Sequence, residues 1–286
     1  MATNSDKMNT SNSIPKTIHY CWFGGNPLPP LAEKCIASWK KYLPDYEIKR
    51  WDESNFDVNI IHYTAQAYEA KKYAFVSDYA RFWILYKYGG VYFDTDVEVI
   101  RPIDDIIAAG PFMGCENPYK AGATPNSLGV APGLGLGVNP GLGLYKEILD
   151  IYDTQQFYNP NGALNEKTVV QYTTELLCQK GLKNIPGIQH LAEVAIYPND
   201  YFCPQDYKTG VITITKNTRS IHHYAQSWLD EIQIKAVERA RKLSFLPDSL
   251  QGYVSYYSVL LQKRGICATI KYIQKRYYEK KSTNSQ

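Results

Sequence analysis

Asp94 and Asp96 flank one threonine within the apolar run 91–100, VYFDTDVEVI. Side chains alternate along a regular strand, so the two carboxylates would share a face. Like charges held together are costly unless a cation or protons neutralise them. Mn²⁺ or Mg²⁺, which accept oxygen ligands, would do so. Aspartate is poor in strand interiors, so the strand is expected to end or bulge here. A strand-terminal turn with solvated acids fits the same pattern. Upstream, Ser77, Asp78 and Arg81 precede the acidic pair. Asp78 and Arg81, three apart on a helix, can meet each other or a ligand. Downstream, His222 and His223 stand just before Ser227 and Trp228. A histidine beside two carboxylates would complete a metal shell, and two surface histidines fit the spacing equally well.

These residues need a scaffold, and the surrounding pattern supplies one. Residues 14–23 (IPKTIHYCWF) read as a first strand, and Pro29-Pro30 opens a helix through Trp39 to Tyr42. A strand at 46–51 follows, and 55–88 is largely helical. Phe75, Tyr79, Phe82 and Tyr86 lay an aromatic stripe on one helix face, which Gly89-Gly90 terminates. The run 91–100 is then a strand interrupted by the aspartates. Strand alternating with helix predicts a layered α/β sheet. Further strands are expected at 112–116, 128–131, 211–215 and from Ser220. Helices are expected at 142–152, 168–179 and beyond Glu231. The glycine-rich run 133–137 fits neither a dinucleotide fingerprint nor a phosphate loop and reads as backbone crowding.

Composition narrows the class. The 286 residues carry a net charge of only +3, which argues against a nucleic-acid binder. Apolar residues at 44% and charged residues at 21% exclude a disordered chain. No apolar run is long enough to span a membrane as a helix. Residues 1–13 lack the apolar block of a secretory signal and read as a disordered tail. The six cysteines form no CxxC pair, so free thiols in a reducing cytosol are expected.

Three blocks, IPKTIHYCWFGG at 14–25, SDYARFWILYKYGGVYFDTDVEV at 77–99 and SIHHYAQSW at 220–228, resemble glycosyltransferase family 32. These are capsular-polysaccharide and yeast mannosyltransferase-type enzymes, distantly like the catalytic domain of the clostridial glucosylating toxins. The resemblance implies a GT-A fold over 14–230, a nucleotide-sugar donor, a divalent metal and retention of anomeric configuration. It implies that Trp22 stacks on the donor's uracil while backbone groups of Cys21 and Phe23 hold its edge. Asp78 and Arg81, with Ser77 alongside, would bind the donor sugar. Asp94 would contact ribose and sugar while helping Asp96 hold the metal, and His223 would be the last metal ligand. Ser227 and Trp228 would donate to the diphosphate. Asp94, Asp96, Arg81 and Trp228 would thus carry the catalysis. Glu116 is the carboxylate expected near the acceptor, a glycan or lipid-linked glycan.

Two other classes share parts of this pattern. A haloacid-dehalogenase-type phosphatase also places a DxD at a strand end with Mg²⁺, but it wants Thr or Val where Glu98 stands. A non-catalytic sugar-binding module needs neither the helix pair nor the histidine. The final segment, 231–286, reads as a basic helical extension. From Lys235 onward it carries eleven Lys and Arg against three acids. Ile266, Ile270, Ile273 and Tyr277 form an apolar stripe opposite Arg264, Lys271 and Lys275. Such a helix packs on a domain or lies on an anionic membrane. A cytoplasmic enzyme in peripheral contact with the membrane face is the resulting expectation.

Overall fold

The first apolar block forms β1 (Thr17–Cys21), whose side chains alternate between two buried layers. Ile18 and Tyr20 enter one cluster and Cys21 the other. The structure, a computed structural model, describes residues 13–160, 162–165, 167–191, 193–225, 231–243 and 248–283. Ser227, Trp228 and all but Ser13 of the expected tail lie outside the described residues. α1 (Pro30–Tyr42) opens with proline where no backbone N–H is required. Its Trp39 is fully buried and donates to the Val97 carbonyl at 2.7 Å. Truncating an aromatic in such a place costs about 3–5 kcal/mol. β2 (Glu47–Trp51) then pairs parallel to β1.

Residues 55–88 resolve into α2 (His62–Glu69) and α3 (Tyr73–Tyr88). In the aromatic stripe of α3, Tyr79 and Phe82 are buried and Phe75 and Tyr86 pack against them. The helix ends on Gly89 (φ 64°) and Gly90 (φ 100°). A Cβ on Gly90 would meet the Thr17 carbonyl at 2.6 Å, so only glycine lets α3 turn straight into β3 (Gly90–Tyr92) beside β1. The strand expected through Ile100 breaks at the aspartates. β4 (Val97–Val99) leaves the main sheet and pairs antiparallel with β9 (Ser220–His222).

Between them come α4 (Asp104–Ala108), β5 (Phe112–Gly114), β6 (Leu136–Val138), α5 (Gly143–Asp153), α6 (Val169–Gln179), β7 (Gln189–Leu191), β8 (Val194–Tyr197) and α7 (Asn199–Phe202). The main sheet runs β2-β1-β3-β6-β5-β8-β7. Its β2–β1, β1–β3 and β5–β8 pairs are parallel, and its other three are antiparallel. Helices α2, α3, α5 and α6 cover one face and α1, α4 and α7 the other. The α/β layering is therefore as expected. Two expected strands are absent. Residues 125–128 form a 3₁₀ turn, followed by a single bridge from Val130 to Cys115. At 211–215 no strand forms; the segment turns back on residues 204–206, the Asp206 N–H donating to the Val211 carbonyl at 2.9 Å and the Thr213 N–H to the Pro204 carbonyl at 3.0 Å, while Arg101 takes the Thr215 carbonyl at 2.7 Å.

The chain divides into two units, one comprising the chain to Gln205 with Thr213–Tyr224, the other Asp206–Ile212 with Ala225–Gln286. The division falls near the expected 230/231 boundary, with residues 206–212 added to the second unit. That unit contains α8 (Glu231–Lys242) and α9 (Asp248–Thr283). Gly265, at φ 75° and ψ 170°, interrupts α9. The Tyr256 hydroxyl donates to that of Tyr272 at 3.1 Å. A straight helix would hold residues sixteen apart at about 24 Å, so the two arms fold back on each other. No helix among the described residues is long and apolar enough to cross a membrane.

Candidate active site

Asp94 and Asp96 occupy the turn between β3 and β4, where the chain passes from one sheet to the other. The Asp94 N–H donates to the Gly133 carbonyl at 2.9 Å, and the Val97 N–H donates to the Asp94 carbonyl at 3.1 Å. Ligand atoms of Asp94, Asp96 and His222 all lie within 4.8 Å of one another. His222 Nε2 stands 3.3 Å from Asp96 Oδ1. Its Nδ1 is buried without a hydrogen-bond partner in the structure. Burial works against a charged ring, but the Asp96 carboxylate overrides it and holds His222 well above its ordinary pKa.

The expected third ligand, His223, is elsewhere. Successive residues on an extended strand point to opposite faces. Ile221 lies opposite Glu98 in the β4–β9 register, so His223, two residues on, shares the Glu98 face. His223 Nε2 donates to Glu98 Oε2 at 2.7 Å, and Lys34 Nζ donates to the same oxygen at 2.8 Å. Burial opposes the Glu98 charge, but these two bonds outweigh it and lower its pKa. The structure thus gathers His222, and not His223, with the two aspartates and sets His223 in a hydrogen bond to Glu98 beside them.

Arg81, on α3, ties the aspartates together from a buried position. Its Nη2 lies 2.8 Å from Asp78 Oδ1 and 3.3 Å from Asp94 Oδ1. Its Nε donates to the Ser77 carbonyl at 3.0 Å, while the Ser77 hydroxyl turns back to Tyr73. The guanidinium sits 5.0 Å over the Tyr92 ring, and the Tyr92 hydroxyl donates to Asp94 Oδ1 at 3.0 Å. Burial pushes Asp78 up to about 7, against the pull of Arg81. Asp78 and Asp94 therefore share one guanidinium. Asp96 meets the His222 ring rather than the guanidinium, and a divalent cation taking that ring nitrogen would displace the proton that Asp96 holds there. Two carboxylates and an imidazole are a donor set suited to Mn²⁺ and to the harder Mg²⁺.

Two supports of this site carried no functional reading in the sequence. Tyr92, two residues before Asp94, points to the same side by strand alternation, a signal available in the sequence. Gly133 is the other: a Cβ there would fall 1.9 Å from Asp94 Oδ2. The crowding read into residues 133–137 is thus, at Gly133, crowding against Asp94, while Gly135 and Gly137 lie against Phe93 and Phe112. Trp22 is partly exposed at the end of β1, its indole N–H donating to the Asn26 carbonyl at 2.7 Å. Cys21 and Phe23 on either side are buried. Burial raises the Glu116 pKa, with His222 pulling it back down. The five described cysteines form no disulfide.

The family described as "Glycosyltransferase sugar-binding region containing DXD motif" matches residues 29–113, which hold Asp78, Arg81, Asp94 and Asp96. Over that segment the chain is thus similar to the DXD-containing glycosyltransferases, the class that its sequence blocks resemble. It is 32% identical over 136 residues to inositol phosphoceramide mannosyltransferase 3 of Schizosaccharomyces pombe, covering 44% of this chain and 35% of that one. Inositol phosphoceramide mannosyltransferase 1 of the same organism is 27% identical over 111 residues, covering 35% and 33%. The matched segment thus spans about a third of these curated relatives. Among solved structures, the PaToxG glycosyltransferase overlays with a TM-score of 0.40 at 20% identity, covering 59% of this chain and 70% of that one. A glycosyltransferase involved in glycosylation of the major capsid of PBCV-1 gives 0.42 at 12% identity, covering 73% and 95%.

Proposed function

We propose that this chain is a metal-dependent, retaining glycosyltransferase that moves a hexose or N-acetylhexosamine from a UDP-sugar to a glycan or lipid-linked glycan acceptor. Surface polysaccharide synthesis, by a cytoplasmic enzyme in peripheral contact with the membrane, is the setting this reading gives it. The observation that carries it is the cluster of Asp94, Asp96 and His222, set beside the buried Asp78–Arg81 pair. In this reading Asp94, Asp96 and His222 hold Mn²⁺ or Mg²⁺. When bound, the cation neutralises charge on a diphosphate leaving group.

The chain's own residues divide the remaining work. Arg81, fixed by Asp78, Ser77 and Tyr92, holds Asp94 in one orientation and presents its remaining edge to sugar hydroxyls. Trp22 offers a flat face to the base, its ring steadied by Asn26. Trp228 and Ser227 supply donors to the diphosphate where charge develops, the kind of stabilisation that lowers a barrier most. Front-face attack needs no protein nucleophile, since the departing phosphate oxygen accepts the acceptor's proton. The similarity to mannosyltransferases favours a second donor reading, mannose, at the same site.

The test is a donor panel without acceptor. Hydrolysis of one nucleotide sugar that requires Mn²⁺ or Mg²⁺ and is lost in Asp96→Asn is the expected result. Phosphate release from simple phosphomonoesters instead would favour the phosphatase class. No metal-dependent turnover of any donor would refute the proposal.

A further inference from the structure

His222 reaches the acidic cluster from the end of β9, on a strand that neither aspartate belongs to. A ligating histidine is ordinarily aimed by a hydrogen bond to its other ring nitrogen, which fixes tautomer and orientation together. His222 is aimed differently. Its Nε2 stands 3.3 Å from Asp96 Oδ1. Its Nδ1 is buried and makes no hydrogen bond in the structure, although the Cys203 thiol lies near enough to act on the ring. What lies against the imidazole is the Tyr224 ring, with centroids 4.3 Å apart and planes inclined at 59°. The Tyr224 hydroxyl and the Cys203 sulfur are 3.0 Å apart, either one the donor. Cys203 is fully buried at the end of α7, so it offers the tyrosine a fixed anchor.

The backbone is strained to make this arrangement. Tyr224 has a φ of 50°, in the left-handed region that bulky side chains rarely adopt. Among the described residues Lys71 is the other non-glycine with positive φ, and it is exposed in the turn between α2 and α3. Strain of this kind persists where the surroundings over-determine it, and it gathers at functional sites. At Tyr224 it falls two residues after a member of the cluster, and the side chain it carries is folded back on that member.

We propose that Tyr224, anchored by Cys203, is a positioning residue that keeps the His222 ring turned toward Asp94 and Asp96, so that the three can share one divalent cation. This rests on the metal reading proposed above and adds to it the residues that aim its nitrogen ligand.

The experiment titrates the full chain with Mn²⁺ alone and reads the free ion by electron paramagnetic resonance. Tyr224→Gly accepts the left-handed backbone without strain and removes the side chain. It should weaken Mn²⁺ binding about tenfold, the lower end of what losing an orienting partner costs a metal site. Tyr224→Phe keeps the ring and loses its anchor, and should fall between that variant and the parent. Mg²⁺, read by competition, should weaken less, because an oxygen-seeking ion gains less from imidazole. In the His222→Ala background Tyr224→Gly should cost Mn²⁺ nothing further. A residue that only stabilises the fold would lower the Tm of the metal-free chain and leave Mn²⁺ affinity unchanged, or would lower that affinity equally in both backgrounds. Either result overturns the proposal, as do equal losses for Mn²⁺ and Mg²⁺. Should Tyr224→Gly fail to fold, Tyr224→Phe decides, and parental Mn²⁺ affinity in it overturns the proposal. A parent chain that binds no Mn²⁺ would refute the metal reading itself, and this inference with it.

Discussion

Gly133→Ala isolates the contact on which the acidic pair rests. The Gly133 backbone is not in the left-handed region, so alanine brings no conformational penalty of its own. Its methyl would fall 1.9 Å from Asp94 Oδ2 and 2.8 Å from Asp94 Cγ. An ordinary contact of this kind lies at about 3.4 Å, so the carboxylate must move by more than ~1 Å. That oxygen pair is held by Arg81 at 3.3 Å and by the Tyr92 hydroxyl at 3.0 Å. Displacing it strands a buried hydroxyl and half of a buried ion pair. Overpacking of this kind costs about 1–3 kcal/mol, and a misplacement of about 1 Å near the chemistry costs about 100-fold in rate. The expected stability loss of about 2 kcal/mol should appear in urea denaturation of the full chain. The decisive comparison is the cycle with Asp94→Ala, which removes the atoms the methyl strikes. In that background Gly133→Ala should cost less than ~0.5 kcal/mol, giving a coupling of about 1–2 kcal/mol. Equal losses in both backgrounds would show that Gly133 does not act through Asp94.

Three further outcomes follow from the same geometry. Asp96→Asn should abolish metal-dependent turnover and lower Tm modestly, because it also removes the charge that holds the His222 ring; unchanged turnover, or turnover in excess chelator, would refute the metal assignment. Trp22→Ala should weaken free nucleotide and nucleotide sugar alike, by about 1–3 kcal/mol in isothermal titration, as loss of base stacking requires. The third concerns His19, buried between the Trp51 indole N–H, which donates to its Nδ1 at 3.0 Å, and the Gly89 carbonyl 3.0 Å from its Nε2. Burial lowers its pKa from 6.5 to about 4, so the unfolded chain takes up a proton between those values that the folded chain refuses. Stability from this ring is complete above pH 6.5 and declines as pH falls toward 4, by about 3 kcal/mol in all and about 2 kcal/mol by pH 5. Urea denaturation at pH 7 and pH 5 checks this against His19→Gln, and an equal pH dependence in the variant would refute it.

The sequence shows most clearly what is local. The first strand, α1, α3 with its aromatic stripe, and the helices at 143–153 and 169–179 follow from apolar period and punctuation alone. What escapes is what partners decide. Val211–Thr215 has the composition of a strand, yet its backbone bonds return locally to Pro204 and Asp206, and Arg101, more than a hundred residues away, takes the Thr215 carbonyl. The three-residue strands β6 and β7 are too short for any period to show, and they exist because β3 and β8 lie beside them. Within the site, the Asp78–Arg81 pair is visible as a helical i,i+3 spacing. The choice between adjacent histidines is not visible, because it depends on which strand face the β4 pairing turns inward.

That same pairing explains why the aspartates are spaced as they are. Asp94 belongs to the main sheet's end and is held there by Gly133, Tyr92 and Arg81. Asp96 belongs to the start of the small sheet, where its carbonyl accepts from the His223 N–H at 3.0 Å. One threonine separates them, so the two carboxylates converge only if both sheets keep their registers. Shifting the β4–β9 pairing by one residue would exchange the faces of His222 and His223, turning His223 toward the aspartates and His222 toward Glu98, which Lys34 also holds. The site thus reports on the integrity of two separate hydrogen-bonded ladders. The His223–Glu98 hydrogen bond at its border fits this, since a slip would part the two groups, while Arg81 and Asp78 on the other side meet within α3 whatever the register.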